Sequence, residues 1–391
     1  MKRWPTKPLG ELVDFIGGGT PRRDRPDYWN GDIPWASVKD LQSQSLETTI
    51  ENITADGLAN CTSNLIPKGT VIIASRVGLG KVAINRKPVA INQDLKALTL
   101  RSCNLHPRYL LLFLLSKADY FERAGVGATV KGLTIADYQK LNIVLPPLAE
   151  QERIVKLLDE ADELRKLRAQ ADRRTADLIP ALFHDMFGEN AKKPHVRVKL
   201  EQIAEVVSGV AKRRKFNGRL PVEVPYLRVA NVQAGHLDLS EIKTIQALPA
   251  EVEELALRKG DVLLTEGGDF DKLGRGAMLE RDLPNCIHQN HVFRVRTERS
   301  KLDPIYFAQF LLTGEARMYF LGCAKRTTNL ASINMTQLRA LPVLLPPLAL
   351  HKEFAARVTD IRAMQAEQAA SRRRLDDLFQ SMLHRAFQGD L

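Results

Sequence analysis

Leu145-Pro146-Pro147-Leu148 opens a long charged segment, and Leu345-Pro346-Pro347-Leu348 opens a second such segment 200 residues later. Landmarks upstream of both segments recur in the same order, at an offset that grows from 191 to 197 residues. A growing offset is expected when a duplicated domain has gained loop residues. The sequence therefore predicts two copies of one globular unit, each followed by a long helix. The matched landmarks are Leu9 with Leu200, Pro34 with Pro225, Lys68-Gly69 with Lys259-Gly260, Gly78-Leu79-Gly80 with Gly274-Arg275-Gly276, Gln93 with Gln289, and Phe113-Leu114-Leu115-Ser116 with Phe310-Leu311-Leu312-Thr313.

Length and composition are typical of a soluble globular protein. The 391 residues are enough for two or three domains that each bury a core, and the hydrophobic content is 44%. No apolar run approaches the ~20 residues that span a bilayer, and no apolar segment follows the basic start Met1-Lys2-Arg3, which argues against a secretory signal. The four cysteines are far apart, as expected for reduced thiols rather than a disulfide framework or a zinc site. We therefore expect a cytoplasmic protein without membrane contact and without a metal of its own.

The chain is strongly basic, with a net charge of +11 and a pI near 9.5. Lysine and arginine side chains that neutralise phosphates gain free energy by releasing counterions. This charge therefore favours a polyanionic partner such as nucleic acid. The alternative, a basic protein without such a partner, stays open on charge alone.

Each predicted unit begins with short β-branched runs bounded by Gly, Pro and Asn. The run at 11–16 leads into Gly17-Gly18-Gly19, and its counterpart lies at 203–207. Helical pieces rich in Leu, Phe and Ala follow near 109–124 and 305–321. This pattern predicts a mixed sheet with many loops, covered by helices. The predicted fold class is α+β, with two similar α+β units related by a pseudo-twofold internal repeat.

The two segments that follow the Leu-Pro-Pro-Leu motifs carry apolar stripes and dense charge elsewhere. Proline at the first helical position, with Glu150 and Glu152 close behind, favours a helix start. A 3.5-residue repeat predicts a coiled coil, in which Pro180 interrupts the first helix near its end. We favour mutual, antiparallel packing of the two helices; the alternative is that each helix packs only on its own domain. The predicted helix–helix residues are Ile154, Leu157, Ala161, Leu164 and Leu178 in the first segment and Phe354, Val358, Ile361, Leu375 and Leu378 in the second.

Catalytic motifs are missing from the sequence. Gly78-Leu79-Gly80-Lys81 lacks the spacing of a phosphate-binding loop and is better explained as a tight hairpin turn. His288 and His291 flank two amide residues, without a third metal ligand nearby in the sequence. The Asp/Asn-Pro-Pro-Tyr/Phe tetrapeptide of amino-methyltransferases is absent as well. We therefore interpret the chain as a binding protein rather than an enzyme.

Basic and amide side chains are concentrated in corresponding loops of the two units. Arginine bonds phosphate, or guanine in bidentate fashion, and Asn and Gln bond adenine. Any one of these residues is better explained as solvated surface, but their recurrence in both units favours contact with nucleic acid. The apolar framework is shared while the loops differ, as recognition of two different sequences requires. The candidate DNA-binding residues are Thr20, Arg22, Arg23, Ser37, Lys39, Ser75, Arg76, Gln93 and Lys131 in the first unit and Lys212, Arg213, Arg214, Lys215, Arg228, Asn231, Gln289, Asn290, Lys325, Arg326 and Asn329 in the second.

The combination of these features resembles the specificity subunit of type I restriction-modification systems. The run Leu-Pro-Pro-Leu-Ala-Glu-Gln-Glu-Arg-Ile at 145–154 is similar to the usual start of that family's long helix. The last six residues, 386–391, are similar to the family's usual end. The second helix start departs from the pattern, because Leu350-His351-Lys352 replaces Glu-Gln-Glu.

The resemblance implies target recognition domains at 1–145 and 189–345 and spacer helices at 146–188 and 346–391. Each domain would recognise one half of a bipartite double-stranded DNA target, and the antiparallel helices would act as a ruler between them. The helices would also dock two methyltransferase subunits, with restriction subunits joining the complex. No cofactor is expected in this chain; S-adenosylmethionine, ATP and Mg²⁺ are expected in the partner subunits, which would flip and methylate adenine. The alternative is a stand-alone DNA-binding or architectural protein without enzyme partners.

Overall fold

A computed structural model of the chain describes residues 4–125, 132–188, 195–212, 215–268, 273–326 and 331–391, with Lys325 and Arg326 described in their backbone only. The chain divides into two compact units. Unit 1 consists of Met1–Ala171 and Gln368–Leu391, and unit 2 consists of Asp172–Glu367. Each unit therefore contains one globular repeat, the start of the long helix that follows it, and the end of the helix that follows the other repeat.

The first repeat consists of short strands and short helices that alternate along the chain. Its strands are β1 (Thr6–Pro8), β2 (Val13–Gly17), β3 (Trp29–Ala36), β4 (Ser45–Leu46), β5 (Glu51–Ile53), β6 (Leu65–Ile66), β7 (Val71–Ala74), β8 (Val82–Asn85), β9 (Val89–Ile91), β10 (Leu95–Leu100) and β11 (Asn142–Val144). Its helices, with the long helix that follows, are α1 (Leu9–Leu12), α2 (Ala55–Ala59), α3 (Pro107–Ser116), α4 (Ala118–Ala124), α5 (Ile135–Gln139) and α6 (Leu148–Ala176). Single 3₁₀ turns lie at Pro26–Tyr28 and Val38–Asp40.

The second repeat has the same succession of elements. Its strands are β12 (Val196–Lys199), β13 (Ala204–Ser208), β14 (Val222–Leu227), β15 (Lys243–Ala247), β16 (Val262–Thr265), β17 (Gly267–Gly268), β18 (Gly276–Met278), β19 (Ile287–His288), β20 (Val292–Thr297), β21 (Lys325–Arg326), β22 (Ala331–Ser332) and β23 (Pro342–Leu345). Its helices, with those that flank it, are α7 (Leu178–Phe187), α8 (Pro249–Leu255), α9 (Pro304–Phe310), α10 (Gly314–Cys323), α11 (Met335–Arg339) and α12 (Leu348–Gln388). Its 3₁₀ turns lie at Leu200–Gln202 and Val229–Asn231.

The equivalent strands of the two repeats have the same order in their sheets; among the described residues, β4 and β6 have no counterpart in the second repeat, which contains a further sheet of order β17-β22-β21. The large sheet has the order β2-β10-β7-β8-β4 in the first repeat and β13-β20-β16-β18 in the second. The second sheet has the order β5-β3-β9-β6 in the first and β15-β14-β19 in the second, and both contain an equivalent parallel pair, β3 with β9 and β14 with β19. A two-stranded ribbon, β1 with β11 or β12 with β23, joins the start of each repeat to its end. The predicted fold class, a duplicated α+β unit followed by long helices, is confirmed.

The large sheet is buried on both faces, as strand β7 illustrates. Val71 and Ile73 pack among the apolar side chains of α3, α4 and α6, whereas Ile72 and Ala74 pack against the second sheet. Because alternate side chains of a strand point to opposite faces, an unbroken apolar run such as Val71–Ala74 requires cover on both sides. Burial of each such large side chain stabilises the fold by roughly 1.5–3 kcal/mol relative to exposure.

Backbone hydrogen bonds correct the pairing of two landmarks. The N–H of Asn92 donates to the carbonyl of Ala36 at 2.9 Å, and the N–H of Gln289 donates to Leu227 at 3.0 Å. Asn92 is therefore the counterpart of Gln289, and Gln93 is the counterpart of Asn290, one residue away from the pairing expected from sequence. By the same criterion Gly80 corresponds to Gly274, because Ala74 and Thr265 each bond the residue that follows these glycines. Both glycines have positive φ, +89° and +70°, a conformation that other L-residues rarely adopt.

In unit 1 the start of α6 packs antiparallel to the end of α12. Arg165 Nε donates to Asp376 Oδ1 at 2.7 Å, and Arg153 Nη2 donates to the carbonyl of Leu391 at 3.0 Å. The partner's number increases as the residue number on α6 decreases, which defines opposite chain directions. The predicted antiparallel packing is therefore confirmed in this unit.

In unit 2 the end of the first helical segment packs antiparallel to the start of α12. Gln365 Nε2 donates to the carbonyl of Thr175 at 2.8 Å, and the ring centroids of Phe183 and Phe354 lie 5.5 Å apart. The first helical segment breaks at Asp177, between α6 and α7. The proline ring at Pro180 would clash with the carbonyl of residue 176, four positions earlier, so the interruption predicted for this proline is confirmed.

The buried stripe of α12 follows a 3.6-residue period rather than the predicted 3.5, whereas the buried positions of α6 repeat every seven residues but are shifted by about one residue from the prediction. Ile154, Phe354 and Val358 are buried as predicted, and Leu157, Ala161, Ile361 and Leu375 are half-buried. Leu164, Leu178 and Leu378 were assigned wrongly: they are 54%, 38% and 51% exposed. A straight helix drifts by about 20° per heptad from a 3.5 repeat, so on α12 a heptad count that is right at Phe354 is wrong at Leu378, more than three heptads later. The buried positions are Gln151, Ile154, Val155, Leu158 and Asp162 on α6 and Phe354, Val358, Phe379, Leu383 and Ala386 on α12.

Two leucines of α12 test this register. Leu383→Ala removes a buried side chain from the core of unit 1, so we expect the free energy of unfolding to fall by about 2–5 kcal/mol. Leu378→Ala, little more than one turn away on the same helix, removes an exposed side chain and should cost less than about 0.5 kcal/mol. Urea denaturation of the two variants measures both values. Equal losses would contradict the 3.6-residue register.

The buried polar side chains at the starts of the two long helices differ in their hydrogen bonding. Gln151 is fully buried; its Oε1 accepts from the N–H of His106 at 2.9 Å, and its Nε2 donates to the carbonyls of Asn104 and Pro146 at 2.8 and 2.9 Å. His351 occupies the same place at the start of α12 and is also fully buried, stacked on Tyr306 with ring centroids 4.1 Å apart. Neither ring nitrogen of His351 has a hydrogen-bond partner among the described residues. Among the described residues, the buried side chain at the start of α12 therefore has fewer hydrogen bonds than the buried side chain at the start of α6.

This difference predicts acid sensitivity in unit 2. Burial, and secondarily the charge of His195, lowers the pKa of His351 from 6.5 to about 4. The unfolded chain thus takes up this proton near pH 6.5 and the folded chain only near pH 4, so stability present above pH 6.5 is lost as the pH falls towards 4, with a magnitude on the order of 3 kcal/mol. We expect His351→Gln to reduce the loss of stability between pH 7 and pH 5, measured by urea unfolding. A pH dependence identical to that of the parent chain would contradict this role; buried His288, whose pKa is also lowered to about 4, contributes equally to both proteins.

Candidate nucleic-acid interface

The loop between β2 and β3 carries three exposed arginines, each held by a carboxylate. Arg22 bonds Asp24 through two contacts, Nε–Oδ1 at 3.1 Å and Nη2–Oδ2 at 2.7 Å. Arg25 bonds Asp27 in the same way, at 2.9 and 2.6 Å. The hydrogen bond from Arg22 keeps the pKa of Asp24 below its ordinary value, so the pair stays ionised at neutral pH. A phosphate that binds Arg22 therefore has to displace, or share the guanidinium with, this carboxylate.

Arg23 is fixed more firmly than its neighbours. Its guanidinium lies 3.8 Å from the ring centroid of Trp29, and its Nη1 and Nη2 both donate to Glu51. The loop is anchored in turn by the Trp35 indole, whose N–H donates to the carbonyl of Gly19 at 3.0 Å. Arg23 therefore orders this loop, and its cation–π and carboxylate contacts leave it less available than Arg22 for a ligand.

Two predicted contact residues are structural. Ser75 is 3% exposed, and its hydroxyl donates to the carbonyl of Asp94 at 3.1 Å. Asn231 is also 3% exposed; its Nδ2 donates to the carbonyls of Asp238 and Glu241, and its Oδ1 accepts from the N–H of Arg228 at 2.9 Å. Because buried polar groups with complete hydrogen bonding cannot reach a duplex, we remove both from the set of predicted DNA contacts.

Ser37 and Arg228 also take part in local capping. Ser37 caps a 3₁₀ turn, where its N–H and hydroxyl both donate to Asp40 Oδ2 at 2.8 and 2.9 Å. Asn231 is the counterpart of Asp40 and caps the equivalent turn after Arg228. Arg228 Nη2 donates to Glu241 Oε2 at 2.8 Å, and its side chain is only 17% exposed. These contacts explain the residue types at both turns without a ligand.

A polar cleft of about 600 Å³ opens where β7 ends and β10 begins. Arg76 is exposed on one side of this cleft, and its Nη1 lies 4.0 Å from Asp94 Oδ1. Lys96 lies on the other side; burial, and secondarily the charge of Arg76, lowers the pKa of its ammonium group. Exposed Gln93 accepts a hydrogen bond at its Oε1 from the hydroxyl of Thr20. The cleft therefore brings together Arg76 and Gln93, and Gln93 is bonded by Thr20, which lies 73 residues earlier in the chain.

The equivalent place in unit 2 has a different chemistry. Glu266 follows β16, and its Oε2 lies 2.5 Å from Nδ1 of exposed His291. The Nδ2 atom of half-buried Asn290 lies 3.4 Å from the other ring nitrogen of His291. Half-buried Gln289 is held through its backbone by Leu227. Lys96, Glu266 and His291 were not among the predicted contact residues; recurrence of polar residues at the ends of equivalent strands is the sequence signal that points to them.

The remaining predicted contacts are exposed or fall outside the described residues. Lys39, Lys212 and Lys215 are exposed, and Lys212 Nζ lies 5.9 Å from the ring centroid of Tyr226. Lys325 and Arg326 form strand β21. Lys131, Arg213, Arg214 and Asn329 lie outside the described residues.

Residues 4–125, 132–188, 195–212, 215–268, 273–326 and 331–391 contain no group of three or more His, Cys, Asp or Glu side chains placed to hold a metal ion. Over the same residues, every helix is too short or too polar to cross a bilayer. The described loops thus offer arginine, lysine, amide and carboxylate groups for binding.

The fold and these loops define a class: a duplicated α+β protein that presents two sets of polar loops suited to DNA. The sequence profile described as type I restriction modification DNA specificity domain matches residues 1–172 and again residues 193–370. The chain therefore belongs to the family of type I restriction-modification DNA specificity domains, and the resemblance noted in the sequence is confirmed.

Known relatives agree with this assignment. The chain is 24% identical over 424 residues to the specificity subunit of type I restriction enzyme EcoKI from Escherichia coli K12, with 99% of this chain and 89% of the relative aligned. It is 32% identical over 165 residues to the EcoR124I/EcoR124II specificity subunit of Escherichia coli, which covers 40% of this chain and 41% of that relative. Both relatives are named as specificity subunits. Such a role is the one expected for a chain whose sequence lacks catalytic motifs.

Solved structures share the fold. A chain from a study of complex assembly and conformational transition of the type I R-M system matches with a TM-score of 0.68 at 20% identity, over 100% of this chain and 99% of that one. The type I restriction-modification S subunit from M. genitalium matches with a TM-score of 0.54 at 15% identity, over 98% and 96% of the two chains.

The ion pair in the first loop provides a test of phosphate contact. Arg22→Ala with Arg23→Ala should weaken DNA binding and reduce the slope of log K against log salt by about 1 for each lost phosphate contact. Asp24→Asn should do the opposite, because it releases Arg22 from its carboxylate partner. Fluorescence titrations at several salt concentrations measure both. Unchanged slopes in the double variant would exclude these arginines from the interface.

Proposed function

We propose that this chain is the sequence-specific, non-catalytic DNA-binding subunit of a type I restriction-modification complex, and that its two specificity domains recognise the two parts of a bipartite target. The observation that carries the proposal is the duplication: two repeats with one order of equivalent strands and one set of core positions, but different polar groups at equivalent loop positions. A shared framework with divergent loops suits two recognition events of one kind on two different sequences. The net charge of +11 supports a duplex as the ligand.

The proposal extends to the partners of the complex. Methylation and cleavage would be carried out by methyltransferase and restriction subunits, two of the former per chain, with S-adenosylmethionine, ATP and Mg²⁺ bound by them. In unit 1, Leu164 and Leu167 are 54% and 52% exposed on the side of α6 that faces away from the core. Two large exposed apolar side chains one turn apart suit a protein contact. A spacer role for the long helices, at 146–188 and 346–391, belongs to the same proposal.

Exchange of one recognition domain tests the function. Replacing residues 1–145 by the corresponding domain of a relative should change one half of the methylated motif and leave the other half unaltered. The donor domain has to keep an aromatic residue at the place of Tyr109, because this ring packs on Phe387 of α12 with centroids 4.9 Å apart. Methylome sequencing of a host that carries the exchanged chain and its partner subunits gives the motif.

The reciprocal exchange of residues 195–345 is the matched control and should change only the other half. A motif that changes in both halves, or in neither, would reject recognition by independent domains. Purification of the complex addresses the alternative of a stand-alone DNA-binding protein: retention of a methyltransferase subunit through gel filtration supports the proposal, whereas a chain that remains alone contradicts it.

A further inference from the structure

Both units place an acidic and a basic side chain at the same point of the large sheet, on opposite strands. In unit 1 the N–H of Ser75 donates to the carbonyl of Asp94 at 2.8 Å, and in unit 2 the N–H of Glu266 donates to the carbonyl of His291 at 3.0 Å. Ser75 is thus the counterpart of Glu266, and Asp94 is the counterpart of His291. The carboxylate lies before β10 in unit 1 but after β16 in unit 2. Arg76, one residue after Ser75, lies beside Asp94 in unit 1, and Glu266 lies beside His291 in unit 2, so the acidic and the basic side chain change strands between the two units.

In unit 1 this position presents cations that are available to a ligand. Arg76 is 59% exposed and lies 4.0 Å from its nearest carboxylate, Asp94, without the short paired contacts that hold Arg22 and Arg23. Lys96 lines the same cleft of about 600 Å³ and donates to the backbone carbonyl of Gln93 at 3.2 Å. Two donor-only groups on one cleft require a ligand that presents acceptors. On a duplex, such acceptors are phosphate oxygens or the O6 and N7 atoms of guanine.

In unit 2 the strand equivalent to β7 is followed by a carboxylate, Glu266, one position before the place of Arg76. Unit 2 has neither cation of this cleft. Gly267, directly after Glu266, stands at the place of Arg76, and buried Phe293 of β20 stands at the place of Lys96. Glu266 keeps 34% of its side chain exposed and is oriented by His291, whose Nδ1 lies 2.5 Å from its Oε2. A carboxylate is repelled by phosphate but accepts hydrogen bonds from the amino groups of cytosine N4 and adenine N6. If both pairs touch DNA, base edges are the ligands that suit an exposed donor in unit 1 and an acceptor in unit 2.

We propose that the acid–base pair beside these strand ends determines base specificity in each unit: Arg76, supported by Lys96, contacts a guanine in one half-site, and Glu266, oriented by His291, contacts the amino group of a cytosine or adenine in the other. This inference rests on the proposed function and assigns the chemistry of each half-site. Arg76 acts as a bidentate donor to the edge of one base. Glu266 acts as an acceptor for one base of the other half-site. His291 is a positioning residue, because it acts through Glu266.

Two single variants test the assignment. Arg76→Ala should relax one guanine position of one half-site, with discrimination at that position reduced between about five-fold and a hundred-fold, and should abolish protection of that guanine N7 from dimethyl sulfate in the assembled complex. Glu266→Gln keeps the size of the side chain but replaces one acceptor oxygen by a donor, so it should relax one cytosine or adenine position of the other half-site. Methylome sequencing of hosts that carry each variant with its partner subunits reads both half-sites at once.

Matched controls are exposed charges elsewhere on the same units. Arg86→Ala removes an arginine that bonds Ser45 at the other edge of the large sheet of unit 1, and Glu298→Gln neutralises an exposed carboxylate paired with Lys301 in unit 2. Both should leave the motif and the footprint unchanged. Thermal melting of all four variants confirms that the fold is intact.

The assignment is overturned if Arg76→Ala and Glu266→Gln leave both half-sites unaltered, or if Arg76→Ala weakens binding equally for all sequences, as loss of a phosphate contact does. Failure of this inference is distinguishable from failure of the proposed function. A domain exchange that changes half of the motif, together with unaltered motifs in the point variants, rejects only the present assignment. A domain exchange without effect on the motif rejects recognition by the domain itself.

Discussion

The fold of each unit depends on an aromatic contact between its globular repeat and the end of the helical segment that follows the other repeat. Tyr109 packs against Phe387 in unit 1, and Tyr306 packs against Phe187 in unit 2, in both cases with ring centroids 4.9 Å apart. Each tyrosine hydroxyl donates to a carbonyl just before the long helix, Val144 at 3.0 Å or Leu344 at 2.8 Å. A repeat cut from the chain at its own boundaries would lack one wall of its core. The ends of the helical segments are therefore part of the hydrophobic cores of the two units.

This constraint explains why the surface loops differ more than the framework. The strands, the capping turns and the aromatic contact recur because each is needed to close a core, and most single changes there are expected to be destabilising. Arg76 and Glu266 follow the buried strands β7 and β16; Arg76 is exposed and Glu266 is half-buried, so a change of residue type there has little cost in stability. A protein built in this way can change what it recognises while it keeps its fold. That separation is what a family of DNA specificity domains requires.

The sequence predicted what depends on repetition and on strong local signals. The internal repeat, the α+β class, the long helices after the two Leu-Pro-Pro-Leu motifs and the break near Pro180 are each set by a motif or by a residue with one dominant conformational effect; the helices begin at Leu148 and Leu348, just after the prolines that were expected to start them. The helix stripes were predicted less well, because the difference between a 3.5 and a 3.6 period accumulates along the chain and moves the apolar face from Leu378 to Phe379. Long-range partners such as Phe387 were not predictable, since nothing local specifies them.

The candidate site was predicted only in part for the same reason. Side chains such as Asn231 have the chemistry of a DNA contact, and only burial distinguishes a cap from a contact. The central claim, that two equivalent units recognise two parts of one DNA site, is tested most directly by methylome sequencing of a host that expresses the unaltered chain with its partner subunits. The account predicts a motif of two specified blocks split by unspecified bases. A single uninterrupted motif would contradict it.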